Sequence, residues 1–181
     1  MHVLFLMADG FEETEAVTPF DYLQRAGVTV KLASISDNLE VEGGHGLKIK
    51  ADMLLKDAKL ADYDAVLLPG GGVGVKNLSA SKLVADTVRA FDAAGKWLLA
   101  ICAAPLVLSR AGLLEKHVAT CYPGCEAEMV CKEFLEDRVV VDGNVITSRG
   151  AGTAEEFALF CIAQLMGLEH AEHVRKQTVA R

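Results

Sequence analysis

The sequence predicts an α/β fold, a three-layer sandwich with a mostly parallel sheet and helices on both faces. Three observations predict it. Apolar runs of strand length alternate with helical patterns, as at His2–Met7, Glu12–Arg25 and Val28–Ile35. Glycines close the helical patterns, Gly27 after the first and Gly95 after a later one. The run Tyr63–Leu68 is apolar but for Asp64, as a strand buried on both faces requires.

Each element follows in chain order. His2–Met7 is the first strand, and Ala8-Asp9-Gly10-Phe11 is a turn. Glu12, Glu13 and Glu15 open a helix that runs to about Arg25, where acidic residues in the first turn suit the helix dipole. Val28–Ile35 alternates and is rich in Val, Leu and Ile, completing a βαβ unit. Leu39–Val41 and Leu47–Ile49 flank Glu42-Gly43-Gly44-His45-Gly46, the pattern of a hairpin. Pro69–Gly74 ends the Tyr63–Leu68 strand as a glycine-rich loop, and Val84–Ala94 is an amphipathic helix. Lys96–Ile101 is a further strand, and Pro105 heads a helical pattern with Leu106, Val107, Leu108, Leu113 and Leu114. Val118–Cys121 reads as a short strand. Arg138–Val141 and Val145–Thr147 bracket Asp142-Gly143-Asn144, a hairpin signal. Ser148–Thr153 is a loop into a helix over Ala154–Met166, and Glu169–Thr178 is a last helix carrying the solvated His170 and His173.

Composition bounds the function. A chain of 181 residues without repeats, linkers or low-complexity tracts suits one domain, 1–181. Its net charge is -7 with scattered Lys and Arg, which leaves no electrostatic footprint for nucleic acid. No apolar run reaches the roughly 18 residues of a membrane span. Asp9, Glu12, Glu13 and Glu15 follow the apolar N-terminus at once, unlike a signal peptide, so the expected location is cytoplasmic. Five cysteines in that compartment are expected to be thiols.

The chemistry gathers at Lys96–Leu106. Strand, sharp turn and proline-headed helix place Cys102 in the turn, which is the logic of a nucleophile elbow. A helix N-terminus beside the sulfur favours thiolate, the reactive form, and Ala103 and Ala104 leave room for an approaching molecule. The competing reading is a buried structural cysteine, since free cysteine behaves as a small hydrophobe.

The glycine loop is not a nucleotide motif. Counted from Gly70, the dinucleotide pattern needs glycine where Val75 stands; counted from Gly72, it needs glycine where Asn77 stands; and Val75-Lys76-Asn77 has neither flank of a phosphate loop. At a carboxyl strand end the loop is expected beside Cys102, where one of its N–H groups and that of Ala103 hold a developing oxyanion. Against this stands an ordinary turn. A carboxyl of the first helix reaches the same edge, and a buried one has a raised pKa; the residues alone leave Glu12, Glu13 and Glu15 open. His117, Cys121, Cys125 and Cys131 have intervals unlike compact zinc sites, so no metal is expected.

Four segments in order resemble one family: Gly10–Glu15, Leu68–Gly71, Ala100–Pro105 and Thr147–Thr153. Together they resemble the ThiJ/PfpI superfamily, and within it the DJ branch, over Met1 to about Leu168. The resemblance implies a flavodoxin-like sandwich, usually a homodimer, with no cofactor. It implies that Cys102 is the reactive cysteine, that Glu15 is the protonated carboxyl touching it, and that Gly71 and Ala103 supply the backbone N–H groups beside the sulfur. Gly70 and Tyr122 are expected in the substrate pocket. The implied activity is glutathione-independent glyoxalase or deglycase action on methylglyoxal, glyoxal or their early adducts, with protection against oxidative stress. The alternative role is a non-enzymatic sensor or chaperone-like protein acting through oxidation of Cys102. Ala103 follows the cysteine where the protease-like branch carries histidine, which argues against peptidase action. Tyr122 stands where several members place a pocket histidine, and Ala151 replaces a common proline. Tyrosine is a poor base at neutral pH but donates hydrogen bonds.

Overall fold

The structure, a computed structural model, describes residues 1–181. The chain runs β1 (His2–Met7), α1 (Glu13–Arg25), β2 (Thr29–Ser34), β3 (Glu40–Glu42), β4 (Lys48–Lys50), β5 (Met53–Leu54), β6 (Ala65–Leu68), α2 (Gly72–Ala80), α3 (Lys82–Ala93) and β7 (Trp97–Ile101). It continues through α4 (Pro105–Arg110), β8 (Val118–Ala119), β9 (Glu133–Phe134), β10 (Val139–Asp142), β11 (Val145–Ser148), α5 (Ala154–Met166) and α6 (Leu168–Thr178). One sheet has the order β10-β11-β7-β6-β1-β2-β5. Every neighbouring pair in it is parallel except the β10–β11 hairpin.

The period of two along each strand divides the core into two layers. Leu4, Leu6, Val66, Leu68, Leu98 and Ala100 face the layer shared with Val84, Val88 and Phe91 of α3 and Leu106 to Leu108 of α4. Val3, Phe5, Met7, Ala65, Leu67, Leu99 and Ile101 face the other layer, with Ala16 and Leu23 of α1 and Phe157, Cys161 and Ile162 of α5. Both faces of the central strands are covered, which is why β6 reads as an unbroken apolar run. The arrangement is the expected flavodoxin-like sandwich. No helix is long and apolar enough to cross a membrane.

Four details differ from the sequence reading. The glycine-rich segment is a loop only through Gly71; α2 begins at Gly72, and Gly74 in its first turn packs against the β1 turn and donates its N–H to the Gly10 carbonyl. The proline-headed helix stops at Arg110, so Leu113 and Leu114 lie beyond it. The strand expected over Val118–Cys121 is a two-residue ladder with β9, outside the main sheet. The edge strand β5 was not expected; its two residues are too few to show a period.

Candidate active site

The order of the sheet reverses between β1 and β6, and the chain leaves these strands in opposite directions. Such a switch point opens a crevice at the carboxyl ends of the strands. Three turns meet there: Ala8–Glu12 after β1, Pro69–Gly71 after β6, and Cys102–Ala104 after β7. Glu12 donates its N–H to the Gly70 carbonyl at 3.0 Å, and Gly74 donates to the Gly10 carbonyl at 3.0 Å. Gly71 has φ 99, and a Cβ there would strike the Gly10 carbonyl oxygen and come within 2.7 Å of the Glu12 nitrogen. The two turns close on each other only because this residue has no side chain.

Cys102 has φ 66, in the left-handed region, and Val179 near the C-terminus is the other non-glycine residue there. A strained backbone of this kind costs about 1–3 kcal/mol and persists where surroundings fix it. Here they do: Cys102 donates its N–H to Ser148 at 2.9 Å, and its carbonyl accepts from the Tyr122 N–H at 2.7 Å. The strained turn lifts the side chain off the strand line, so that the N–H groups of Ala103 and Gly71 point at its sulfur.

Glu15 is 1% exposed. Its carboxylate accepts the Gly70 N–H at 2.9 Å and meets the Cys102 side chain and the Ala151 backbone N–H. Burial pushes its carboxyl up to about 7; the charge of Glu12 adds to this, and the hydrogen bonds from Cys102, Gly70 and Ala151 oppose it. The other two candidate carboxyls have separate tasks. Glu12 caps α1, accepting the Glu15 N–H at 2.7 Å. Glu13 holds the β3–β4 hairpin through the His45 N–H at 2.6 Å and its ring Nδ1 at 2.7 Å. That pairing and the cap account for the approach of Glu12, Glu13 and His45 to within 4.8 Å of one another.

The expectation of a thiolate stabilised by a helix N-terminus is corrected. Ala104, not Cys102, precedes the six-residue α4. Burial, followed by the charge of Glu15, pushes the Cys102 thiol up, and the Ala103 and Gly71 N–H groups only partly offset this. Cys102 therefore rests as a thiol against Glu15, and a thiolate forms only by passing its proton to that carboxylate.

A cleft of about 480 Å³ opens over the sulfur, lined by residues that include Phe11, His45, Gly71, Val73, Cys102, Ala103, Tyr122 and Cys125. Tyr122 is 51% exposed at its rim. Gly70 does not line it; its N–H is spent on Glu15, and it has no Cβ because one would lie 2.6 Å from Cys102 Cβ. His45 and Cys125 are among the lining residues that sequence reasoning left without a role in the pocket, since only tertiary packing brings the hairpin and the turn after β8 to this edge. A larger hollow of about 540 Å³ between α5 and α6 shares no residue with the cleft and contains no cysteine, so volume does not mark the site.

Comparison with known proteins finds relatives along nearly the whole chain. Residues 1–164 match the DJ-1/PfpI family. The Parkinson disease protein 7 homolog of Danio rerio is 38% identical over 182 residues, covering 98% of this chain and 96% of that protein. Protein DJ-1 homolog B of Arabidopsis thaliana is 40% identical over 181 residues, 99% of this chain; the chain spans 41% of that longer relative. A protein named deglycase from Pyrococcus horikoshii is 34% identical over 151 residues, covering 82% of this chain and 90% of that protein. The oxidized DJ-1 of Toxoplasma gondii superposes with a TM-score of 0.95 at 35% identity, covering 99% of this chain and 98% of that one. The chain belongs to the DJ-1/PfpI family.

Proposed function

We propose that this protein is a cofactor-independent, Cys102-dependent enzyme of glyoxalase or deglycase type, acting on methylglyoxal, glyoxal or their early adducts. The observation that carries the reading is the contact of Cys102 with a buried carboxyl whose pKa is raised to about 7, under an open cleft. A group at that value both takes and gives protons at neutral pH. The similarity to a protein named deglycase supports the same class of reaction.

The steps follow from the atoms present. Glu15 accepts the Cys102 proton, and the sulfur attacks the aldehyde carbon of methylglyoxal. The Gly71 and Ala103 N–H groups hold the oxyanion until it takes the proton back from Glu15 as a hemithioacetal hydroxyl. Glu15, again a carboxylate, removes the hydrogen from that carbon and returns it to the neighbouring one through an enediol. The result is a lactoyl thioester on Cys102, which water hydrolyses to lactate. Tyr122 at the rim donates a hydrogen bond to a substrate oxygen. A hemithioacetal or aminocarbinol adduct enters the same sequence once its dicarbonyl carbon reaches the sulfur.

Lactate formation from methylglyoxal without glutathione, by wild type and by Cys102→Ser, tests the reading. Lactate from wild type alone supports it; lactate from neither protein refutes it for this substrate. One observation favours a second role. The superposing Toxoplasma structure is of an oxidized protein, and here Glu15 in its protonated form can donate a hydrogen bond to an oxidised Cys102.

A further inference from the structure

Cys125 lines the same cleft as Cys102, and no step above uses it. Tyr122 donates its N–H to the Cys102 carbonyl at 2.7 Å, and Cys125 donates its own to the Tyr122 carbonyl at 3.0 Å. The second thiol thus hangs one β-turn from the backbone of the first, and such a turn keeps its ends within about 7 Å. Tyr122, Pro123 and Gly124 of this turn are exposed, and Gly124 has φ 94. A single turn of tight helix at Glu126–Glu128 follows, so the segment has little regular structure to hold it in place. Cys125 and Ala103 pack against the same apolar layer. The other cysteines do not line the cleft, and Cys121 and Cys161 are fully buried. Burial, with the charges of Glu128 and Glu126 behind it, keeps Cys125 a thiol at rest.

We propose that Cys125 is the resolving thiol of Cys102: once a hydroperoxide has oxidised Cys102 to a sulfenic acid, Cys125 closes a disulfide with it. This goes beyond the dicarbonyl reading and requires only that the Cys102 sulfur meets peroxide. In the first step Cys102 passes its proton to Glu15 and its sulfur attacks the outer peroxide oxygen. The O–O bond breaks, the sulfenic acid forms, and the leaving oxygen takes the proton as alcohol or water. In the second step the Cys125 sulfur attacks the sulfenic sulfur. The S–O bond breaks, water leaves with the Cys125 proton, and the S–S bond forms. A small dithiol reduces the bridge by exchange and is itself oxidised to a disulfide. The bridge needs Cα atoms about 4.4–6.8 Å apart, a separation the turn must reach with Gly124, at φ 94, as its pivot.

The test treats wild type, Cys125→Ser and Cys125→Ala with equimolar hydrogen peroxide, blocks free thiols, digests without reductant and reads the peptides by mass spectrometry. The expected result is a Cys102–Cys125 cross-linked pair in wild type, reversed by dithiothreitol. Both variants, shown to be folded by circular dichroism, lose the bridge and accumulate sulfenic acid, trapped by dimedone, and sulfinic acid on Cys102. Three results overturn the proposal: sulfinic acid in wild type at the level of the variants without a bridge, a Cys102 left reduced, or a bridge from Cys102 to another cysteine. Lactate assays on untreated, reduced wild type separate the two readings, because a chain that makes no lactate when reduced yet forms the bridge with peroxide retains this inference and loses the other.

Discussion

Replacing Glu15 by glutamine tests the buried carboxyl through folding stability as well as through chemistry. Glu15 is 1% exposed, and burial raises its pKa from 4.5 to about 7. A group with a raised carboxyl pKa binds its proton more tightly folded than unfolded. The native state therefore loses stability as pH rises from the unfolded value near 4.5 through the folded value near 7, and the loss is complete above it. At about 1.4 kcal/mol per unit the loss amounts to about 3 kcal/mol. Glutamine keeps the shape and cannot ionise, so taking the difference between the two proteins cancels the titrating groups distant from Glu15 and leaves its own ionisation together with its coupling to Cys102. Urea denaturation at pH 5 and pH 8 is the assay. Wild type is expected to lose about 3 kcal/mol relative to Glu15→Gln over that interval. The Cys102 thiol of the variant, freed from the neighbouring charge, is expected to react with iodoacetamide with a lower pH midpoint. A difference that stays flat within about 0.5 kcal/mol would mean that Glu15 titrates as an ordinary surface carboxyl, and the proton shuttle would be refuted.

The other predictions test separate parts of the site. Gly70→Ala drives a Cβ into the Glu15 carboxylate and to 2.6 Å from Cys102 Cβ; a cost of about 1–3 kcal/mol in urea and loss of Cys102 alkylation are expected. Thr153 is 6% exposed and ties the loop after β11 together through Ser148 Oγ at 2.6 Å and the Gly150 N–H at 3.1 Å. Thr153→Val is expected to cost about 1–3 kcal/mol and, by loosening the Ala151 N–H from Glu15, to move that carboxyl further up, read from the pH dependence of alkylation. Tyr122→His supplies a base at the rim without touching the core; kcat/KM for methylglyoxal is expected to rise about a hundredfold, the lower end of a general base's contribution, and an unchanged rate would remove position 122 from the pocket's acid–base chemistry. Glu13 holds the His45 imidazole above its ordinary pKa by a hydrogen bond and its charge. The pairing strengthens the hairpin below the unfolded histidine value, and this contribution is lost as pH rises through the higher folded value. An NMR titration should show the His45 midpoint falling back in Glu13→Gln.

Agreement between sequence and structure is closest where a single physical rule decides the outcome. Period-two burial fixes β1, β6 and β7, and glycine at positive φ stops α1 at Gly27. The β10–β11 hairpin follows from Asp142-Gly143-Asn144, with Gly143 at φ 59. The strand–turn–proline pattern located Cys102, because the strand run, the small residues and the helix-heading proline that mark the turn are adjacent in the chain. The choice of Glu15 over Glu12 and Glu13 was not legible from the residues themselves. All three carboxyls stand in one helical turn, and it is their distance from other elements that separates a cap, a hairpin clasp and a buried partner of sulfur.

The sequence by itself determined the α/β alternation, the four motif segments and the cysteine at a strand end, because each rests on neighbours within a few residues. Only the tertiary structure decided the protonation of the site. Helix polarity argued for a thiolate, but the low dielectric around Cys102 and Glu15 outweighs it, and burial is set by strands distant in sequence closing over both groups. The same holds for the lining of the cleft. His45 arrives from the β3–β4 hairpin and Cys125 from the turn after β8, and nothing local to either residue records that the sheet order reverses between β1 and β6 and so brings both to one edge.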